Sequence, residues 1–231
     1  MKLLVSVRSV EEALLAAQGG ADFIDLKEPL GGALGGLPIA TIRAIVDALR
    51  RHGSGVPVSA TIGDLPMGDL ARITACVEAV GECGVDYVKV GIERAPGATA
   101  VLDALAAAGW PVVPVFIADQ GLDFSHVRHA CGLKFPGVMA DTADKRTISL
   151  FDAVPMADLQ RFVATVRAAG AMVGLAGALR VAHEPLLRQL RPDFAGFRTA
   201  VCVGDRTSAL DPVRLAGLIA LMHSQPLVEA I

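Results

Sequence analysis

The sequence predicts an α/β protein folded as a single (β/α)8 TIM barrel over residues 1–231, and three observations carry that prediction. Eight short runs rich in Val, Ile, Leu and Phe alternate with amphipathic helical stretches. No Pro/Ser-rich linker divides the chain, and no GxGxxG follows the first run, which disfavours an open doubly wound sheet. The phrases Gly20-Ala-Asp22, Gly84-Val-Asp86 and the looser Arg191-Pro-Asp193 stand before the second, fourth and eighth runs, repeating a helix stop followed by a return to strand.

The elements follow in order. A first strand, Leu3–Val7, leads to a helix over 9–19 with Ser9 as its capping residue. Phe23–Lys27 is the second strand, ahead of a helix over 38–52, and Val56–Ala60 the third, ahead of a helix over 69–83 opened by Asp69. Tyr87–Val90 and Val112–Ile117 flank a helix over 96–108, and Val138–Ala140 follows a helix over 124–134. Met172–Leu175 and Phe194–Phe197 complete the strands, with helices over 155–169, 183–190 and 211–223.

Composition narrows the function classes. Hydrophobic side chains make up 53% of the chain with one Trp and one Tyr, enough for a large aliphatic core. A net charge of −3 supplies no basic field for nucleic acid. No uncharged apolar run reaches the ~18 residues of a membrane span, and the N-terminal residues lack a signal-peptide pattern. Cys76, Cys83, Cys131 and Cys202 form no CxxC, so a reducing cytoplasm is expected. His52, His126, His129, His183 and His223 fall on helices or helix ends, and neither metal nor cofactor is expected. Helical faces rich in Ala and Leu permit a homo-oligomer without requiring one.

Candidate chemistry lies at strand ends. Side chains alternate along a strand, so Phe23, Asp25 and Lys27 share one face and the aliphatic Ile24 and Leu26 the other. The aliphatic face should meet the helices, which turns Asp25 and Lys27 into the barrel. The same parity turns Tyr87 and Lys89 inward on the fourth strand, Met139 and Asp141 on the sixth, and Phe194, Gly196 and Arg198 on the eighth. Barrel interiors are layered by alternate strands, so Lys27, Lys89, Asp141 and Arg198 are expected together at the C-terminal mouth, where barrel enzymes work. A lysine leaving an apolar strand is poorly solvated, and poor solvation favours the free amine that attacks carbonyls. The plainer reading is that such lysines snorkel into solvent. Asp141 serves equally as a cap for the turn-rich segment 141–144, and Lys145 either pairs with Asp141 or a phosphate, or is a solvated loop charge.

Small-residue loops after the seventh and eighth strands, around Gly177 and from Arg198 to Arg206, occupy positions where barrels commonly cradle phosphate. The glycine-rich segment 28–36 is a second cradle, a lid, or a loop that only needs positive φ. Asp64, after the third strand, either binds hydroxyls or starts a turn.

Together, Lys2-Leu-Leu-Val-Ser6, Gly19-Gly-Ala-Asp-Phe-Ile-Asp-Leu-Lys27-Glu-Pro29, Gly32-Ala-Leu-Gly35, Val58-Ser-Ala-Thr-Ile-Gly-Asp64, Asp86-Tyr-Val-Lys-Val-Gly91, Met139-Ala-Asp-Thr-Ala-Asp-Lys145 and Leu175-Ala-Gly177 resemble the (5-formylfuran-3-yl)methyl phosphate synthases, also described as 4-(hydroxymethyl)-2-furancarboxaldehyde phosphate synthases. The motifs occur in family order over nearly the whole chain. One position departs: Ala140 stands where a bulkier apolar residue is expected, and by parity it faces the helices. The resemblance implies a (β/α)8 lyase that condenses two molecules of glyceraldehyde 3-phosphate into the furan aldehyde phosphate, losing phosphate and water, on the route to methanofuran-type carriers. It implies Lys27 as the Schiff-base lysine, Lys89 as proton acceptor, and Asp141 and Lys145 as further active-site residues. Asp25, Asp64, Gly177 and Arg198 are the substrate- and phosphate-binding candidates. The partner is then a small triose phosphate, with no nucleic acid or membrane involved. The competing reading is a class I aldolase, or another phosphosugar-binding barrel, that forms no furan.

Overall fold

The structure, a computed structural model, describes residues 1–144 and 147–224. Eight strands, β1 (Lys2–Val7), β2 (Phe23–Leu26), β3 (Val58–Thr61), β4 (Tyr87–Ile92), β5 (Val112–Ile117), β6 (Gly137–Asp141), β7 (Met172–Leu175) and β8 (Phe194–Phe197), pair in sequence order into a closed barrel. All pairings are parallel, including β8 onto β1. The (β/α)8 expectation is therefore met. The helices are α1 (Val10–Gly19), α2 (Ile39–Arg51), α3 (Leu70–Gly81), α4 (Ala98–Ala107), α5 (Phe124–Gly132), α6 (Leu150–Ala153), α7 (Met156–Ala168), α8 (Glu184–Leu190) and α9 (Pro212–His223). Ser9 and Asp69 cap α1 and α3 as the sequence predicts. The one-turn α6 escaped the sequence reading because four residues show no helical period. β3 begins at Val58 and not Val56, since Pro57 has no N–H for the ladder.

The repeated helix-stop phrases prove to be one device used three times. Gly20 and Arg191 adopt positive φ of 96° and 53° as the C-caps of α1 and α8, and Gly84, with φ 81°, turns the chain just beyond the end of α3. Two residues later an aspartate clamps the preceding strand: the Asp22, Asp86 and Asp193 carboxylates accept from the backbone N–H of Leu3, Val58 and Val173, each at 2.7 Å. Each aspartate N–H in turn donates to the carbonyl of the same strand residue. These clamps lie at the N-terminal rim, opposite the mouth.

Strand parity sorts the core into two. Ile24, Leu26, Val88, Val90, Val138, Ala140, Ala195 and Phe197 belong to the shell between sheet and helices, while Phe23, Met139 and Phe194 fill the barrel interior with Leu4, Val113 and Val115. Phe23 and Phe194 meet as a tilted pair with ring centroids 5.2 Å apart. Gly174 makes room for them: a Cβ there would lie 2.3 Å from Phe194 Cζ and 2.4 Å from Met139 Cγ. Above this plug the inward side chains turn polar. Among the described residues, no helix is long and apolar enough to cross a membrane.

Candidate active site

Lys27 follows β2 directly, and its N–H still donates to the Val7 carbonyl at 3.0 Å, so the ladder fixes its direction. Its Nζ lies 3.3 Å from Asp141 Oδ2 at the end of β6. Asp141 Oδ1 accepts from the Thr142 N–H at 2.8 Å, so this carboxylate both caps its own loop and faces Lys27. Across the chamber, Lys89 Nζ lies 3.0 Å from Asp25 Oδ1. Asp25 is further held by Ser59 Oγ at 2.7 Å and Ser6 Oγ at 3.2 Å. All four charged side chains are buried, and each is 8% exposed or less. Burial pushes the Asp25 carboxyl up, but the Lys89 and Lys27 charges and the Ser59 hydroxyl outweigh it and hold the group below the usual carboxylate range. Asp25 is thus a carboxylate set between the two lysines.

Ser6 and Ser59 are the site residues that sequence reasoning missed. They sit on odd strands, in register with Asp25 on either side. The same alternation that turned Lys27 inward would have found them, since Leu4 and Ser6 share a face on β1, and Ser59 and Thr61 on β3.

The other predicted residues divide. Gly177 lines the chamber with φ +112°, and a Cβ there would lie 2.9 Å from Thr142 Oγ1, so the chain at this point needs glycine for both conformation and space. Arg198 also reaches the chamber, but its guanidinium is turned to Glu12 and to three backbone carbonyls, an arrangement unlike the phosphate contact expected of it. Asp64 does not join the lysines. Its two oxygens accept from the Ala33 and Leu34 N–H groups at 2.7 and 2.9 Å. It thereby seats the glycine-rich segment, with Thr61 Oγ1 donating to the Gly35 carbonyl at 2.8 Å, and Leu34 is buried in the barrel mouth. That segment is a plug in this structure. Lys145 lies outside the described residues.

The chamber holding the two lysines is narrow and lined also by Ser6, Gly177 and Thr199. A wider basin adjoins it, sharing Pro29, Thr199 and Arg206. Among the described residues, no group of three or more His, Cys, Asp or Glu side chains is arranged to hold a metal. Burial pushes the Cys202 thiol up, away from thiolate chemistry.

A (β/α)8 barrel with two buried lysine–carboxylate pairs at its C-terminal mouth defines a barrel of the enzyme type, with its site where such enzymes place catalysis. Solved structures share the fold: phosphoribosyl anthranilate isomerase from Thermus thermophilus superposes with a TM-score of 0.66 at 17% identity, covering 96% of this chain and 98% of its own. The family model for 4-HFC-P synthase matches residues 3–219, and the chain belongs to that family. It is 35% identical to the (5-formylfuran-3-yl)methyl phosphate synthase of Archaeoglobus fulgidus over 96% of this chain and 100% of the relative. The synthase of Methanopyrus kandleri is 34% identical, over 89% and 91% of the two chains.

Proposed function

We propose that this protein is a carbon–oxygen lyase that condenses two molecules of glyceraldehyde 3-phosphate into (5-formylfuran-3-yl)methyl phosphate through an imine on Lys27. The balance of the reaction releases one phosphate and two waters. Family membership supports the overall reaction, and the observation that carries the mechanism is the meeting of Lys27–Asp141 and Lys89–Asp25 in one chamber.

An ammonium must lose its proton before it can attack a carbonyl, and Asp141 Oδ2, 3.3 Å from Lys27 Nζ, is an acceptor in place. Lys27 then adds to the ketone form of one triose phosphate, water leaves, and the iminium draws electrons from the adjacent carbon. Lys89, as the free amine left once its proton passes to Asp25 Oδ1 at 3.0 Å, takes the proton from that carbon, and Ser59 and Ser6 hold Asp25 in place for the exchange. The resulting enamine attacks the aldehyde of the second triose phosphate. Ring closure, dehydration and β-elimination of phosphate follow, and Lys27 is released by hydrolysis. The adjoining basin offers room for the second substrate. On the family resemblance, Lys145 assists with phosphate charge, and the product serves methanofuran-type carriers made in the cytoplasm.

Incubation with glyceraldehyde 3-phosphate tests the reading. A conjugated furan aldehyde chromophore should appear with release of inorganic phosphate. An open-chain aldol product without that absorbance would overturn it.

A further inference from the structure

Glu12 lies in the first turn of α1, outside every motif that suggested function, yet it is one of the few buried charges in the molecule. Its carboxylate accepts from Arg198 Nη1 at 2.6 Å and Nη2 at 3.0 Å, with the Arg8 N–H adding a third bond at 3.0 Å. Arg198 spends its remaining donors on main chain: Nε on the Arg206 carbonyl at 2.9 Å, Nη1 on Ser6 at 3.1 Å, and Nη2 on Ser208 at 2.8 Å. One planar fork thus joins the end of β1, the start of α1 and the tip of the loop that runs from β8 to α9.

That loop has internal shape of its own. Cys202 and Leu210 form a bridge at its base, and the Asp205 side chain organises the turn through Thr207 and Ser208. Its tip is tied to β1 through Arg198. Thr199 and Arg206 of this loop line both the chamber and the basin. The Ser6 residue whose carbonyl Arg198 grips also donates its hydroxyl to Asp25. A buried ion pair is a poor source of stability relative to an apolar pair of equal size, because desolvation cancels most of its attraction. Its geometric value is different, since a guanidinium offers five donors in fixed directions and a lysine cannot replace it.

We propose that Glu12 is a positioning residue, which by orienting Arg198 sets the β8–α9 loop against the chamber so that the loop receives a substrate phosphate. Resting on the proposed reaction, this inference assigns Arg198 to holding the loop and leaves the phosphate to the loop itself.

Two measurements on Glu12→Gln and Arg198→Lys test it: titration with inorganic phosphate by calorimetry, and steady-state kinetics with glyceraldehyde 3-phosphate. The expected result is a rise of roughly 10-fold in both the phosphate Kd and the KM for Arg198→Lys, the size of one lost charge-assisted hydrogen bond, and a smaller rise for Glu12→Gln. kcat should stay within about twofold of wild type, since no bond to the reacting atoms is touched. Glu12→Asp, which keeps the charge at shorter reach, replaces either variant that fails to fold. Unchanged phosphate Kd and KM, a loss confined to kcat, or failure of the wild-type protein to bind inorganic phosphate would each overturn the proposal. Furan formation by the wild type reports separately on the reaction, so the two readings fail independently.

Discussion

Lys27 and Lys89 each meet a carboxylate, but the two carboxylates are held differently. Asp141 is bound by its own loop and by Lys27, whereas Asp25 accepts from two hydroxyls and lies between the two lysines. The difference matches the division of labour between an imine former and a proton carrier. Replacing Lys89 by Met, which keeps the apolar stem, should lower turnover by about 10²- to 10⁴-fold while the imine at Lys27 still forms. A Lys89→Met protein with normal furan production would remove Lys89 from the mechanism. Asp25 also carries a pH signature. Its folded value lies below the unfolded one, so its stabilising contribution is complete above the unfolded carboxylate value of ~4 and is lost as pH falls through the depressed folded value. Thermal midpoints measured from neutral to acid pH should fall more for the wild type than for Asp25→Asn. Equal acid sensitivity would contradict the assignment.

At the scale of elements, the segment between β2 and α2 shows how a loop became a wall. Asp64, in the loop just after β3, accepts two successive backbone N–H groups, and this seats Leu34 in the mouth against Gly91, where a Cβ would come within 3.0 Å of Leu34 Cδ1. Asp64→Ala leaves those two donors without their acceptor, at a cost of about 1–3 kcal/mol. Faster amide exchange at Ala33 and Leu34, with a lower denaturation midpoint, is the expected outcome. Unaltered exchange there would show that the plug is held by its apolar contacts alone. From sequence alone Asp64 is a hydroxyl binder or a turn starter, and the glycines are a cradle, a lid or a loop that only needs positive φ. The actual partners lie about thirty residues away in sequence, beyond the reach of any local pattern.

Across the whole molecule, the lysine chamber and the strand clamps occupy opposite rims. The clamps of Asp22, Asp86 and Asp193 join neighbouring strands at the N-terminal end, far from the lysines. Asp193→Ala should therefore cost about 1–3 kcal/mol of stability while leaving KM unchanged, as denaturant titration and kinetics can check. A KM that shifted with stability would show the two rims to be coupled. This separation also explains what was legible. Strand order, closure and the inward aim of Lys27, Lys89 and Asp141 follow from a two-residue alternation and recurring stop signals, which any single strand displays. Ser6 and Ser59 obey the same alternation, but small hydroxyls, like a first-turn glutamate such as Glu12, are common where nothing depends on them, and their partners are set only by register and closure. Arg198 was correctly aimed at the mouth, but its partners depend on how the chain ends meet.

The central claim is that Lys27 is the imine former and Lys89 its proton partner. Borohydride reduction in the presence of glyceraldehyde 3-phosphate, followed by peptide mapping, tests it most directly. A reduced adduct is expected on Lys27, retained in Lys89→Met and absent from Lys27→Met. An adduct mapping to Lys89 or Lys145, or no adduct in a protein that still forms the furan, would contradict it.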